Sequence, residues 1–184
     1  MDEIKGIIEG CVKGEKRAQD NLYKMFAARL FGVCLRYAKN RMEAEDVLQE
    51  VFVKIYNNIH TYHNDGSFEG WLRRIAVNTS ITAYRKNLKH AFHEDVEDMV
   101  KTKNDPVAFE DLEFTQEEMM KCIEKLPSGY KTVFNLYVIE GFMHKEIADM
   151  LDIDVNTSKS QLSRAKTYLQ RELAEISKIK MKVE

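Results

Sequence analysis

The sequence predicts an all-α protein made of two small helical domains joined by an acidic linker. Three observations predict it. Apolar residues recur at three- and four-residue steps through most of the chain, the spacing of a helix stripe. Only two prolines and eight glycines interrupt 184 residues. Charge also changes sign along the chain: 14 Lys and Arg stand against 11 Asp and Glu in residues 1–86, 5 against 11 in 87–125, and 9 against 8 in 126–184. An acidic middle therefore separates two mildly basic ends.

Residues 1–86 read as the first domain. A short helix spans about 4–12. In the next, Leu22, Met25, Phe26, Leu30, Val33, Cys34 and Tyr37 share one stripe. A third repeats the spacing with Val47, Leu48, Val51, Phe52, Ile55 and Ile59. A fourth, over 68–86, turns Leu72, Ile75, Ala76, Thr79 and Ala83 inward. Four such helices bury one another's stripes in a small bundle. Over 87–113 the periodicity fails, acids accumulate and Pro106 interrupts, which reads as a linker.

Residues 114–184 form the second domain, in which a helix-turn-helix is legible. A short helix carries Ile147, Ala148 and Leu151 inward, a turn follows through 152–154, and a longer helix buries Leu162, Ala165 and Leu169. The small Ala148 lets the helices cross closely, and Asp154 is placed to cap the second one by accepting a first-turn N–H. Lys159, Ser160, Ser163 and Arg164 are left outward near the start of that helix, where a recognition helix meets base edges. Residues 155–182 carry seven Lys and Arg against two Asp and Glu, a basic end suited to phosphates.

Two further surfaces carry chemistry. Asp46, Gln49 and Glu50 stand at i, i+3 and i+4 opposite the third helix's apolar stripe, an acidic and amide face that by itself is ordinarily just solvated. Trp71, Arg74, Asn78 and Arg85 fall on the outward side of the fourth helix. They combine a ring for stacking unpaired bases with cations for the backbone, although a lone Trp equally serves packing.

Composition limits the alternatives. The start, MDEIKGIIEG, lacks the basic opening and apolar core of a secretory signal, and no apolar run approaches membrane-spanning length. Cys11, Cys34 and Cys122 form no CxxC and sit at apolar helical positions, as buried thiols of a reducing compartment do. The cytoplasm is expected, without membrane insertion. The pairs His60/His63 and His90/His93 lack the carboxylate or cysteine partners of a metal centre. No phosphate loop or GxSxG turn is present. No metal, cofactor or catalytic residue is expected, and the chain is read as a non-enzyme.

The segments AEDVLQEVFVKIY, FEGWLRRIAVN, LPSGYKTVFNLYVIEGFMHKEIADMLDI and TSKSQLSRAK occur in that order. Together they closely resemble the extracytoplasmic-function group of the sigma-70 family, from about residue 22 to residue 173. The resemblance implies an alternative sigma factor that binds core RNA polymerase and directs transcription initiation at chosen promoters. The first domain then corresponds to sigma region 2 and the second to region 4. Asp46, Gln49, Glu50 and the neighbouring Phe52 would dock on the coiled coil of the polymerase beta-prime subunit, with the beta subunit a further partner. Segment 60–86 would recognise the minus-10 element through His63, Asn64, Trp71, Arg74, Asn78, Arg85 and Lys86, its loop 60–67 pocketing a flipped base. Thr157, Lys159, Ser160, Ser163, Arg164 and Lys166 would read the minus-35 element. Family members commonly have an anti-sigma partner.

The sequence departs from the family pattern at three places. Thr82 stands where an acid commonly precedes the basic pair Arg85 and Lys86, Asp152 replaces the usual turn glycine, and Ser158 replaces an apolar residue. Asp tolerates a left-handed backbone better than most residues, so the turn remains feasible. Two rival readings make different demands. A response regulator with a helix-turn-helix output needs an alternating strand–helix receiver upstream. A helical protein-binding adaptor leaves the Trp71-to-Arg85 face and the basic tail without a role.

Overall fold

The computed structural model describes residues 2–63, 65–90 and 114–180. Asn64, His93 and most of the expected linker lie outside the described residues. The chain divides into two compact units, Met1–Phe92 and His93–Glu184. All regular structure in the described residues is helical. No strand precedes the helix-turn-helix there, so those residues hold no receiver domain of the response-regulator type.

The first unit contains α1 (Asp2–Val12), α2 (Lys16–Leu35), α3 (Arg41–Asn58), a 3-10 turn (Ile59–Thr61) and α4 (Phe68–His90). Gly14, at φ +75°, allows the chain to reverse after α1, where its N–H reaches the Cys11 carbonyl. Asn40 caps α3 by accepting from Glu43 N at 2.9 Å, while the Glu43 carboxylate accepts from Lys39 N at 2.7 Å. All six residues expected inward on the third helix are buried, five on α3 and Ile59 in the turn after it.

Two expectations about inward faces change. Met25 is 41% exposed, because the buried stripe of α2 runs instead through Ala18, Leu22, Phe26, Leu30, Val33 and Cys34. On α4, Leu72, Ala76 and Thr79 are buried as expected, but Ile75 and Ala83 are only half-buried, and Val77, Ser80, Ile81 and Tyr84 complete the core. Packing explains this: α4 lies against both α2 and α3, so its buried arc is wider than one stripe. The helix also runs four residues past Lys86, to His90, with the Asn87 amide donating to the Glu43 carboxylate at the start of α3.

The second unit contains α5 (Gln116–Glu124), α6 (Ser128–Phe134), a π turn (Asn135–Ile139), α7 (His144–Leu151) and α8 (Val155–Lys180). A capping box opens α5: Thr115 accepts from Glu118 N, and the Glu118 carboxylate accepts from Thr115 N. The long α8 is the spine of the unit, packed by α5, α6 and α7. Lys125 ties the end of α5 to Glu172 on α8 at 2.9 Å.

Cys11, Cys34 and Cys122 are all buried free thiols. Burial pushes the Cys34 thiol up to about 11. No described helix is long and apolar enough to cross a membrane.

Candidate nucleic-acid interface

The helix-turn-helix is built as the sequence suggests. Ile147, Ala148 and Leu151 of α7 and Leu162, Ala165 and Leu169 of α8 are buried. Asp152 adopts the left-handed conformation at φ 59°, ψ 48°, supplying the geometry for which glycine is more common. Asp154 caps α8, its carboxylate accepting from Asn156 N at 2.7 Å. With the inner face so occupied, Lys159, Ser160, Ser163, Arg164 and Lys166 are exposed, and Thr157 is half-buried. The Ser160 hydroxyl donates to the Thr157 carbonyl at 3.0 Å.

Ser158, the unusual polar residue, is 0% exposed on the inner face of α8. Its hydroxyl lies 2.9 Å from His144 Nδ1 at the start of α7. The imidazole stacks on Tyr137 of the π turn, centroids 4.5 Å apart and planes 24° apart. Burial first, and then Lys159 and Lys166, hold His144 below the ordinary imidazole value of 6.5. The sign follows directly. A histidine whose folded pKa is depressed binds fewer protons folded than unfolded, so its stabilisation is complete above the unfolded value and is lost as pH falls through the folded one. Acidification from about pH 7 to about pH 5 is therefore expected to lower the melting temperature of the wild-type chain more than that of His144→Phe. Parallel pH dependence of the two would show that His144 does not contribute.

In the first unit, the fourth helix and the end of the third enclose a groove of about 320 Å³. Trp71, Ile75, Asn78, Thr79 and Thr82 line it from α4, and Lys54, Asn58 and Thr61 from the opposite wall. Trp71 is half-buried, stacked on Phe68 at 5.9 Å and 14°, with Tyr62 at 5.7 Å. The Tyr62 hydroxyl donates to the Gly66 carbonyl at 2.8 Å, anchoring the loop before α4 to this aromatic cluster. Ser67 opens α4 by accepting from Gly70 N.

The structure thus brings Trp71 and Asn78 together. Arg74, Lys86 and His63 are exposed and Arg85 half-buried, but none of them lines the groove. Lys54, Asn58, Thr61 and Thr82 were not among the expected site residues. The only sequence signal for the first three is their polar i, i+4, i+7 spacing at the end of an otherwise apolar-striped helix.

Asp46, Gln49 and Glu50 are exposed together on α3, with Glu50 paired to Lys54 at 2.7 Å. Phe52, which the resemblance places beside them, lies on the inward stripe where the spacing puts it. It is 4% exposed and packs on Tyr23 at 4.6 Å, because it falls within the broad apolar arc of α3. Among the described residues no cluster of three or more His, Cys, Asp or Glu could hold a metal ion.

Comparison with known proteins points the same way. The family model described as Sigma-70 region 2 matches residues 22–89, and that described as Sigma-70, region 4 matches 116–169. Three relatives match nearly end to end. An ECF RNA polymerase sigma factor, SigW of Bacillus subtilis, is 31% identical, covering 94% of this chain and 98% of its own. The RNA polymerase sigma-H factor of Pseudomonas aeruginosa is 29% identical, covering 94% and 95%. The ECF RNA polymerase sigma-E factor of Haemophilus influenzae is 28% identical, covering 92% and 94%.

Proposed function

The chain belongs to the sigma-70 family, in its extracytoplasmic-function group, as an alternative sigma factor; from that premise we propose how its two units divide the work on a promoter. The second unit reads the minus-35 element through Thr157, Lys159, Ser160, Ser163, Arg164 and Lys166. The first takes an unpaired base of the minus-10 element into the groove that Trp71 and Asn78 line. His63, Arg74, Arg85 and Lys86 hold the adjoining backbone, and Asn64 belongs to the same segment. Extracting a base costs a few kcal/mol, and stacking returns about 1–3 kcal/mol per base, so opening follows from binding without catalysis.

Asp46, Gln49 and Glu50 dock on the beta-prime coiled coil of core polymerase, and the beta subunit is the further contact. An exposed acidic face is suited to a basic partner surface. Sigma factors as a class are specificity subunits rather than enzymes, and we assign no catalysis or cofactor to this chain. Its place is the cytoplasm, beside the polymerase, with an anti-sigma protein as the regulator the family commonly has.

One observation supports the reading: Lys159, Ser160, Ser163, Arg164 and Lys166 are exposed together on α8, whose inner side packs against α7. Reconstitution with core RNA polymerase tests it, by sequencing the transcripts that begin only when the chain is present. Unchanged start sites would overturn it. At promoters with a matched minus-35 element, Arg164→Ala is expected to cost about 1–3 kcal/mol, the worth of a bidentate base contact. Equal loss on every DNA sequence would assign Arg164 to a phosphate instead.

A further inference from the structure

We infer that His144 and Ser158 form a positioning pair that sets the orientation of α8 for reading the minus-35 element, an inference that rests on the reading of α8 given above. Ser158 lies between Thr157 and Lys159, two of the proposed reading residues, yet points the other way, into the seam with α7. The buried seam around it is built from Ile147, Ala148, Leu151, Leu162 and Ala165. Apolar contacts of that kind are non-directional and tolerate small rotations of one helix on another. A hydrogen bond is directional, and a buried hydroxyl that loses its partner bears a desolvation penalty. The 2.9 Å contact between Ser158 Oγ and His144 Nδ1 therefore selects one rotation of α8.

The imidazole is itself held. His144 opens α7, and its ring is stacked on Tyr137, which the π turn carries. Three successive elements, the π turn, α7 and α8, are thus linked by one side chain each. In the neutral ring with its proton on Nε2, the Ser158 hydroxyl donates to Nδ1. Rotation of α8 would move Thr157, Lys159, Ser160 and Arg164 together, so the pair acts on base discrimination through residues that it does not itself replace.

The test uses the full chain with core RNA polymerase on paired promoters that differ only in whether the minus-35 element is intact. The readout is the ratio of transcription from the two. His144→Phe keeps a ring to stack on Tyr137 but has no hydrogen-bonding nitrogen. His144→Asn places an amide near the Nδ1 position. Ser158→Val fills the site without a hydroxyl. The ratio is expected to fall about 5-fold in His144→Phe and in Ser158→Val, the scale of one net hydrogen bond. The double variant should fall no further than either single one, because both remove the same contact. His144→Asn should keep most of the ratio.

Full discrimination in His144→Phe, or losses that add in the double variant, would overturn the pairing and leave His144 a packing residue. Arg164→Ala, run alongside, separates this from failure of the underlying reading. If Arg164→Ala lowers the ratio while the His144 and Ser158 variants do not, the positioning pair alone falls. If the ratio is indifferent to Arg164 as well, minus-35 reading by α8 falls and the pair with it.

Discussion

Ile147→Ala is expected to destabilise the second unit by about 2–5 kcal/mol, the range for emptying a large aliphatic site in a packed core. Ile147 is 0% exposed and belongs to the layer that seats α7 on α8. Small domains have only about 5–15 kcal/mol in total, so such a loss is a large fraction of the stability of the unit. Hydrogen exchange checks it: protection should drop across α6, α7 and α8, with α2–α4, whose core contains none of these residues, as the internal reference. Met143→Ala is the contrasting control. Its side chain is 72% exposed, and the change should stay within about 0.5 kcal/mol. A loss for Ile147→Ala below about 1 kcal/mol would mean that the helix-turn-helix seam is not closed as described.

Much of this arrangement was legible in the residues, for a physical reason. Apolar residues at three- and four-residue steps fall on one face of a helix: Val47, Leu48, Val51, Phe52 and Ile55 on α3 and Ile59 in the turn after it are buried, and so are the six seam residues of α7 and α8. The cap by Asp154 and the left-handed Asp152 were likewise readable, because both depend on a few consecutive residues. Reading failed where the buried arc is wider than one stripe. On α4, Val77, Ile81 and Tyr84 are core where a single stripe would leave them out.

The candidate sites show the same division. The outward residues of α8 follow from one helix's periodicity. The groove does not: Lys54 and Asn58 on α3 face Trp71 and Asn78 on α4 only because two helices cross there. The pairing of His144 with Ser158 spans fourteen positions and a turn, and in the sequence Ser158 registers merely as a polar residue at an apolar position. The π turn that brings Tyr137 onto His144 leaves no periodic signature in five residues.

Trp71→Ala is the second change with a large expected effect, because the indole serves two surfaces at once. One side is stacked on Phe68 and meets the tilted ring of Tyr62, whose hydroxyl braces the loop before α4. The other lines the groove opposite Lys54 and Asn58. Losing a stacking surface for one base costs about 1–3 kcal/mol, or roughly 5- to 150-fold in promoter opening, and loss of packing in the cluster adds to it. Permanganate reactivity of unpaired thymines in the minus-10 element, measured with the reconstituted polymerase, reads this directly. Trp71→Phe retains an aromatic face and should recover most of the opening. A template already unpaired at minus-10 should narrow the defect of Trp71→Ala, because the cost of extracting the base has been removed from the reaction. If Trp71→Ala lowers thermal stability but opens duplex promoters as well as the wild type does, the ring is a brace for the loop and the groove is not where the base goes.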